Sequence, residues 1–315
     1  MYSRENYRLA KEEIEQRRAT AVAVAERRNE MLRSEYPEIR EIDDELTGTG
    51  LALFRTACSG GDINALRDRN QELMAKRRSI LVKLGYPEDY TDVHYTCEAC
   101  RDTGFIDTKM CKCLKELLIM KNIRSSGMGK LIDRQSFDNF DLDWYRTNDE
   151  DYKRMAHNYK IARAFARGFA AHSDNLLLIG TTGTGKTHIS TAIAAEVIKQ
   201  GFDVLYDSAQ NIISAFEDDR FRSGYGQREL LSEKYMECDL LIIDDLGTEF
   251  VNQFTVSVLY NVINTRKNKG LSTIISTNLT AQELAAKYEG RIYSRIVGSD
   301  YTVLFFSGRD HRTCV

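Results

Sequence analysis

Long apolar runs are missing from this chain of 315 residues. No stretch reaches the roughly 18 to 20 consecutive apolar residues that a membrane-spanning helix needs, and the N-terminus carries no secretory apolar region. No membrane partner is expected, and a cytoplasmic location is. Charge of one sign is missing too. A formal net charge of −3 leaves no global basic footprint, so any contact with nucleic acid depends on local patches. Proline is scarce: the two residues, Pro37 and Pro87, both fall where helical patterns stop. What is present suits a large soluble chain. Hydrophobic residues make up 42%, enough for a sizeable core, and charged residues 29%. The length predicts about two domains.

The chain is organised around Gly180-Thr181-Thr182-Gly183-Thr184-Gly185-Lys186-Thr187. The apolar run Leu176–Ile179 precedes it and a helical stretch, Ile189 to Lys199, follows. This is the strand, loop and helix setting in which G-x-x-x-x-G-K-[ST] acquires meaning. Its glycines let successive N–H groups turn inward at phosphate oxygens, above the positive end of a helix. Lys186 is expected on the β and γ phosphates and the Thr187 hydroxyl on Mg²⁺. Without that setting the octet would be only a glycine-rich turn with a lysine.

A second signal is Leu240-Leu-Ile-Ile-Asp244-Asp245, a buried strand ending in paired acids. Ligands bind at the C-terminal edge of open α/β sheets. Asp244 is expected in the Mg²⁺ shell, through Thr187 and water, and Asp245 as the group that orients or deprotonates the attacking water. Glu249 is a weaker candidate for that last task, and helix capping is the plain alternative for the pair. Thr273-Ile-Ile-Ser-Thr-Asn278 is a further strand ending in an amide that would hold the water or sense the γ phosphate, unless Asn278 merely forms a turn. Arg291 and Arg295, four apart on a predicted helix, share one face. The apolar runs 176–179, 203–206, 240–243, 272–276 and 302–306 alternate with helical stretches and predict a parallel sheet with helices on both faces.

Upstream, Cys97-Glu-Ala-Cys100 and Cys111-Lys-Cys113 are separated by ten residues, with Asp102-Thr-Gly104 as a turn between them. Four thiolates suit tetrahedral Zn²⁺, and a set with no open position predicts a structural ion. A redox C-x-x-C or unrelated thiols are the alternatives, and His94 is a possible alternate ligand. Cys58, Cys238 and Cys314 are scattered and ordinary.

The first 90 residues read as a helical arm. One helix is closed by Pro37, and a second, from Ile39 to Leu46, is broken at Gly48-Thr-Gly50. A third follows Asp62 and ends at Gly85-Tyr-Pro87. In the third, Ile63, Leu66, Asn70, Leu73, Arg77, Ile80 and Leu84 form a heptad seam with two polar interruptions. The seam serves equally an internal hairpin or a partner-binding coil. Residues 91–124 are expected as the zinc element, 125–135 as a linker with Ser125-Ser-Gly-Met-Gly129, and 136–315 as the ATPase domain. A helix is predicted from about Asp149 to Ala171. Between two predicted helices, Arg220, Phe221, Arg222 and Tyr225 interleave basic and aromatic groups in a glycine-flexed segment. That pattern fits single-stranded DNA, or else a solvated loop with aromatics tucked into the core.

The P-loop, the Asp-Asp strand, Ser276-Thr-Asn278, Tyr288-Glu-Gly-Arg291-Ile-Tyr-Ser-Arg295 and Phe306-Ser-Gly-Arg-Asp-His-Arg312 resemble the AAA+ domain of DnaC/DnaI-type helicase loaders, grouped with the IstB transposition helpers. The resemblance covers roughly 135 to 315, and the four-cysteine element is similar to the DnaI-like branch. It implies that ATP is the nucleotide, that Asn278 is sensor I, that Arg291 and Arg295 form the arginine-finger region, and that Arg312 is the sensor II arginine. It also implies self-association into an AAA+ oligomer, a DnaB-type replicative helicase as partner of the N-terminal region, and single-stranded DNA at the inserted helical segment. Asp245 stands where many AAA+ proteins have Glu, which suits slow, switch-like hydrolysis. The sequence stops soon after Arg312, so no helical lid is expected and the site should lean on a neighbouring subunit. Two rival functions follow. A transposition helper would share the ATPase half and engage a transposase. A small-molecule P-loop kinase would need a substrate pocket and a lid and has no use for outward arginines.

Overall fold

The computed structural model describes residues 3–170, 172–222, 230–298 and 300–310, leaving aside the side chains of Thr147, Arg222, Glu289 and Arg291. It divides into two compact units. One is Lys11–Leu114; the other joins Met1–Ala10 to Lys115–Val315.

In the first unit, α1 (Arg4–Glu35) ends two residues before Pro37, which opens α2 (Pro37–Cys58) at a position where its missing N–H costs nothing. The expected break at Gly48 and Gly50 does not occur: α2 runs through both. Each glycine costs a helix about 1 kcal/mol. Packing against α3 (Asn64–Lys83) outweighs that cost, and α2 and α3 form a hairpin within the chain. The two polar interruptions of the seam explain its choice of partner. Arg77 donates to Asp43 on α2 at 2.7 Å, to Asn29 on α1 at 2.7 Å and to Thr91 at 2.8 Å, while Asn70 accepts from the Thr49 hydroxyl. Asp62 accepts from the Asn64 N–H at 2.9 Å, close to the capping role expected of it. Leu32, Ile39 and Leu81 make the small core between the three helices. Beyond them β1 (Phe105–Ile106) and β2 (Lys109–Met110) form an antiparallel pair between the two cysteine pairs.

α4 (Lys112–Ser125) leads into the second unit, followed by the single turn α5 (Leu131–Arg134). The stretch 125–135, expected as a linker, is packed: Met128 is 2% exposed and belongs to the core. Asn6 anchors the first ten residues here, donating to Asn122 Oδ1 and Ser125 Oγ, both at 2.7 Å. Then come α6 (Asp149–Arg167), β3 (Asn175–Gly180), α7 (Lys186–Lys199), β4 (Val204–Ser208), α8 (Ala209–Arg222), α9 (Glu233–Glu237), β5 (Leu240–Leu246), α10 (Gln253–Lys269), β6 (Ser272–Thr277), α11 (Ala281–Ile296) and β7 (Tyr301–Phe306). All five strands fall on the apolar runs read from the sequence. They form one parallel sheet in the order β4-β5-β6-β3-β7.

Alternation along the strands sorts the two faces. Leu176 and Leu178 of β3, with Leu240 and Ile242 of β5, meet Met155 and Ala162 of α6 and Ile189 and Ile193 of α7. Leu177, Ile179, Leu241 and Ile243 point the other way, onto Ile212 of α8, Leu259 of α10 and Leu284 and Ile292 of α11. Arg266 of α10 is fully buried. It is held by carbonyls of Tyr235, Cys238, Asp239 and Ser272 and by the Thr273 hydroxyl, so its five N–H groups have a complete set of acceptors. Among the described residues, no helix is long and apolar enough to cross a membrane.

Candidate nucleotide and metal sites

A parallel sheet brings the C-terminal ends of its strands to one edge, and the candidate residues gather there. β3, a central strand flanked by β6 and β7, delivers the loop 181–185, and α7 starts at Lys186. Two glycines are obligatory for different reasons. Gly185 has φ +91°, and a Cβ there would lie 2.7 Å from the Tyr145 hydroxyl; Gly180 has no room beside the Phe306 carbonyl, 2.1 Å from where a Cβ would stand. The Tyr145 hydroxyl donates to the Thr184 carbonyl at 3.0 Å and the Thr184 hydroxyl to the Thr181 carbonyl at 2.8 Å, so the loop is braced from outside and within. The Lys186 ammonium donates to the carbonyls of Gly180 at 2.6 Å and Thr181 at 2.8 Å. Thr182 and Gly183 form the outer wall of the cradle.

At the end of β5 the two acids part company. Asp244 is buried and accepts three hydroxyls: Thr187 at 3.3 Å and Tyr206 on Oδ2, and Ser276 on Oδ1. Hydrogen bonds to a charged group contribute about 1.5–3 kcal/mol each, so this carboxylate is firmly oriented. Burial, with the Asp244 carboxylate alongside, pushes the Tyr206 phenol well up, and it stays a proton donor. Asp245 turns away. It has φ +53°, donates its N–H to Ser276 Oγ at 3.0 Å, and reaches the cleft, where Thr248 and Asn278 also face. Non-glycine residues in this region of backbone space carry strain of the kind found at active sites. Glu249 does not join them: it is buried, accepts from the Gly247 N–H at 2.9 Å and from the Tyr288 hydroxyl, and holds the loop after β5 against α11.

The cleft encloses about 360 Å³, within the usual range for a small-molecule site. Its other end is built by residues that the sequence reading passed over. Phe140 stacks on Tyr145 (centroids 5.9 Å apart) and meets His188 edge-on at 5.1 Å. His188 Nε2 lies 2.9 Å from the Ser136 carbonyl and 3.0 Å from Asn139 Oδ1, two acceptors, so the ring donates. Burial lowers its pKa although the Ser136 carbonyl opposes that. Gln135 lines the same end, and its carbonyl oxygen is buried without a partner. The aromatic and polar run Ser136–Phe140 just ahead of the P-loop unit was the available signal.

The remaining candidates are scattered. Arg291 and Arg295 both lie on α11. The Arg295 guanidinium sits 4.4 Å from the Tyr260 ring centre and donates to the Tyr260 hydroxyl at 2.8 Å and to Asn264 at 3.1 Å, both on α10. The Arg291 side chain and Arg312 lie outside the described residues. α8 continues to Arg222, so Arg220 and Phe221 stand on a helix rather than in the expected flexed segment. Arg220 lies over Phe254 (5.6 Å to the ring centre) and Phe221 is 85% exposed. The Arg222 side chain and Tyr225 fall outside the description.

In the other unit, the Sγ atoms of Cys97, Cys100, Cys111 and Cys113 all lie within 4.8 Å of one another, and two pairs are at 3.8 and 3.5 Å. Zn–S bonds of about 2.3 Å set tetrahedrally give edges of about 3.8 Å. The turn expected at Asp102 orients the first pair: its carboxylate accepts the N–H groups of Thr96 at 2.8 Å and Cys97 at 2.9 Å. Burial opposes ionisation of the Cys100 thiol, but the Gly104 N–H and the neighbouring sulfurs outweigh it and hold that thiol at about 6. Burial and the neighbouring sulfurs push Cys113 up. His94 lies beside Asp89, outside the cluster.

DnaC, the replicative helicase loader of Escherichia coli K12, is 25% identical over 192 residues, covering 61% of this chain and 75% of DnaC. A protein of the same strain, YdaV, is 25% identical over 182 residues, 58% of this chain and 69% of its own. Among solved structures, a DnaC helicase loader aligns with TM-score 0.49 at 20% identity, over 57% of this chain and all of that one. DnaI aligns with TM-score 0.46 at 24% identity, over 59% and 95%. Residues 119–293, more than half of the sequence and every strand from β3 to β6, match the family described as IstB-like ATP binding protein, and to that family this chain belongs.

Proposed function

We propose that the protein is an ATPase that loads a replicative DNA helicase. The observation that carries the ATPase reading is the convergence of Lys186, Thr187, Asp245 and Asn278 on one cleft at the sheet edge, with Asp244 bonded to Thr187 behind it. The loader reading is supported by the similarity to DnaC over three quarters of that protein's length.

In this reading the phosphates enter the 181–185 cradle, and Lys186 exchanges the Gly180 and Thr181 carbonyls for the β and γ phosphate oxygens. Mg²⁺, when bound, withdraws charge from those oxygens; Thr187 would hold it directly, and Asp244 through water. Asp245, which lines the cleft, orients the attacking water with Asn278. The base lies against Phe140. The unpartnered side-chain amide oxygen of Gln135 favours an N–H donor there, a need that adenine's exocyclic amine would meet. Arg291 or Arg295, and Arg312, would neutralise charge developing on the γ phosphate, the first two across a subunit boundary in an oligomer. The four cysteines would hold a structural Zn²⁺, a role the sulfur spacing fits. The boundaries 1–90, 91–124, 125–135 and 136–315 describe the proposed division of labour: arm and zinc element for the helicase, the last segment for ATP. Single-stranded DNA would lie along Arg220, Phe221, Arg222 and Tyr225, and the protein would act in the cytoplasm.

The test has two parts. Lys186→Ala should lose nucleotide binding, whereas Asp245→Ala should bind nucleotide and fail to hydrolyse it. Pull-down with the tagged protein should recover replicative helicase. Recovery of a transposase instead would identify a transposition helper with the same ATPase half.

A further inference from the structure

Tyr206 has no part in the chemistry above, yet both its ends are engaged. Its hydroxyl donates to Asp244 Oδ2. Its backbone N–H donates to the Ser126 carbonyl at 2.7 Å. Gly127 follows with φ +82°, so close that a Cβ on it would stand 2.3 Å from the Tyr206 carbonyl oxygen. β4 is an edge strand, and the turn that closes on its outer side is itself fixed. The Ser126 hydroxyl donates to the Ile123 carbonyl at 2.7 Å, and Met128 is sunk in the core. A chain of contacts therefore runs from the end of α4, through Ser126 and Gly127, along Tyr206, to the carboxylate at the end of β5.

We propose that Tyr206 is a positioning residue for Asp244, and that the Ser126–Gly127 turn sets its height, making the segment after α4 a lever on the Mg²⁺ site. The inference rests on the reading of Asp244 as a carboxylate of the Mg²⁺ shell. Ser276 holds Oδ1, and Tyr206 shares Oδ2 with Thr187, so Tyr206 restrains the oxygen that faces the P-loop. Groups that orient ligands from behind are worth about 10- to 100-fold in metal affinity. A displacement of the turn would reach Asp244 with no residue of the cleft being touched. Such coupling needs a direct test, since adjacency is not transmission.

The full chain is titrated with Mg²⁺ at a fixed concentration of fluorescent ATP analogue, and nucleotide affinity is measured separately in EDTA. Tyr206→Phe keeps the ring and removes the hydroxyl. It should raise the Mg²⁺ concentration for half-maximal response about tenfold or more, leaving affinity in EDTA unchanged. Gly127→Ala should move the Mg²⁺ response the same way. The double variant should be no worse than the more affected single variant, because both act through one hydroxyl. Should Gly127→Ala fold too poorly to assay, Met128→Val loosens the same turn and takes its place. A parental Mg²⁺ response in Tyr206→Phe overturns the positioning role, and additive effects in the double variant overturn the lever. If the parent binds nucleotide with no Mg²⁺ dependence, the reading of Asp244 fails first and takes this one with it.

Discussion

Asp203, at the entry to β4, is a carboxyl whose pKa is raised to about 6, first by burial and then by the neighbouring Asp239. Unfolded, it would titrate near 4. A raised folded value means that the protonated form is favoured by the fold. The associated stability is present below pH 4, falls as pH rises between 4 and 6, and is gone above that. Asp203→Asn removes the charge and keeps the shape. Its melting temperature should exceed the parent's by roughly a few degrees at pH 7.5, and the gap should close as pH falls through 6. Thermal melts at several pH values check this; a gap independent of pH would show that the charge is not what matters at this position. The same scale shows what one-dimensional reading misses. Lys186, Asp244 and Asn278 belong to local patterns and could be named from the sequence. Tyr206, Ser276 and Gln135 owe their places to distant partners, and no spacing along the chain announces that a tyrosine of β4 meets an aspartate of β5.

Among the elements, the five strands were legible because each is an apolar run fenced by polar residues, and a parallel sheet buries both faces. The helix α2 was not. Gly48 and Gly50 look like a stop, and only the antiparallel contact with α3 carries the helix past them. The segment 125–135 misleads similarly: its composition is that of a linker, but Ser126 and Met128 are buried. The cysteine element shows how tightly its parts are tied. Gly104 packs against Leu114 and Ile14, so the turn between the cysteine pairs shares its core with α1 and the start of α4. Metal analysis of the purified protein should give about one Zn²⁺ per chain, consistent with a closed four-thiolate site. Cys97→Ser with Cys100→Ser should lose that metal, lower the stability of residues 11–114 and spare nucleotide binding. Full metal content in the double variant would refute the assignment.

At the scale of the whole molecule, the proposed oligomer would let a neighbouring copy contribute residues to the site. Arg295 is already occupied by Tyr260 and Asn264 of its own chain. Its removal should therefore cost stability, whereas Arg291 is the better candidate for action in trans. Arg291→Ala and Lys186→Ala should each be inactive alone and regain ATPase activity when mixed, since one offers an intact P-loop and the other an intact arginine. An arginine finger is worth about a thousandfold or more in rate, so recovery would be plain in a steady-state assay. Mixed oligomers without recovery would return Arg291 to a role within its own subunit.

The buried guanidinium of Arg266 bears on the order of assembly during folding. Its farthest partner in sequence, the Tyr235 carbonyl, is only 31 residues away, and β5 and β6 pair within the same short stretch. The Asn175 side chain, by contrast, meets the Asp300 carbonyl across 125 residues, at the edge where β3 pairs with β7. Short loops close at lower entropic cost than long ones. During refolding, amide hydrogens of β5 and β6 should become protected from exchange before those of β3 and β7. The glycine loop that hangs from β3 would thus be set in place on a sheet whose other half, with its paired acids, already stands.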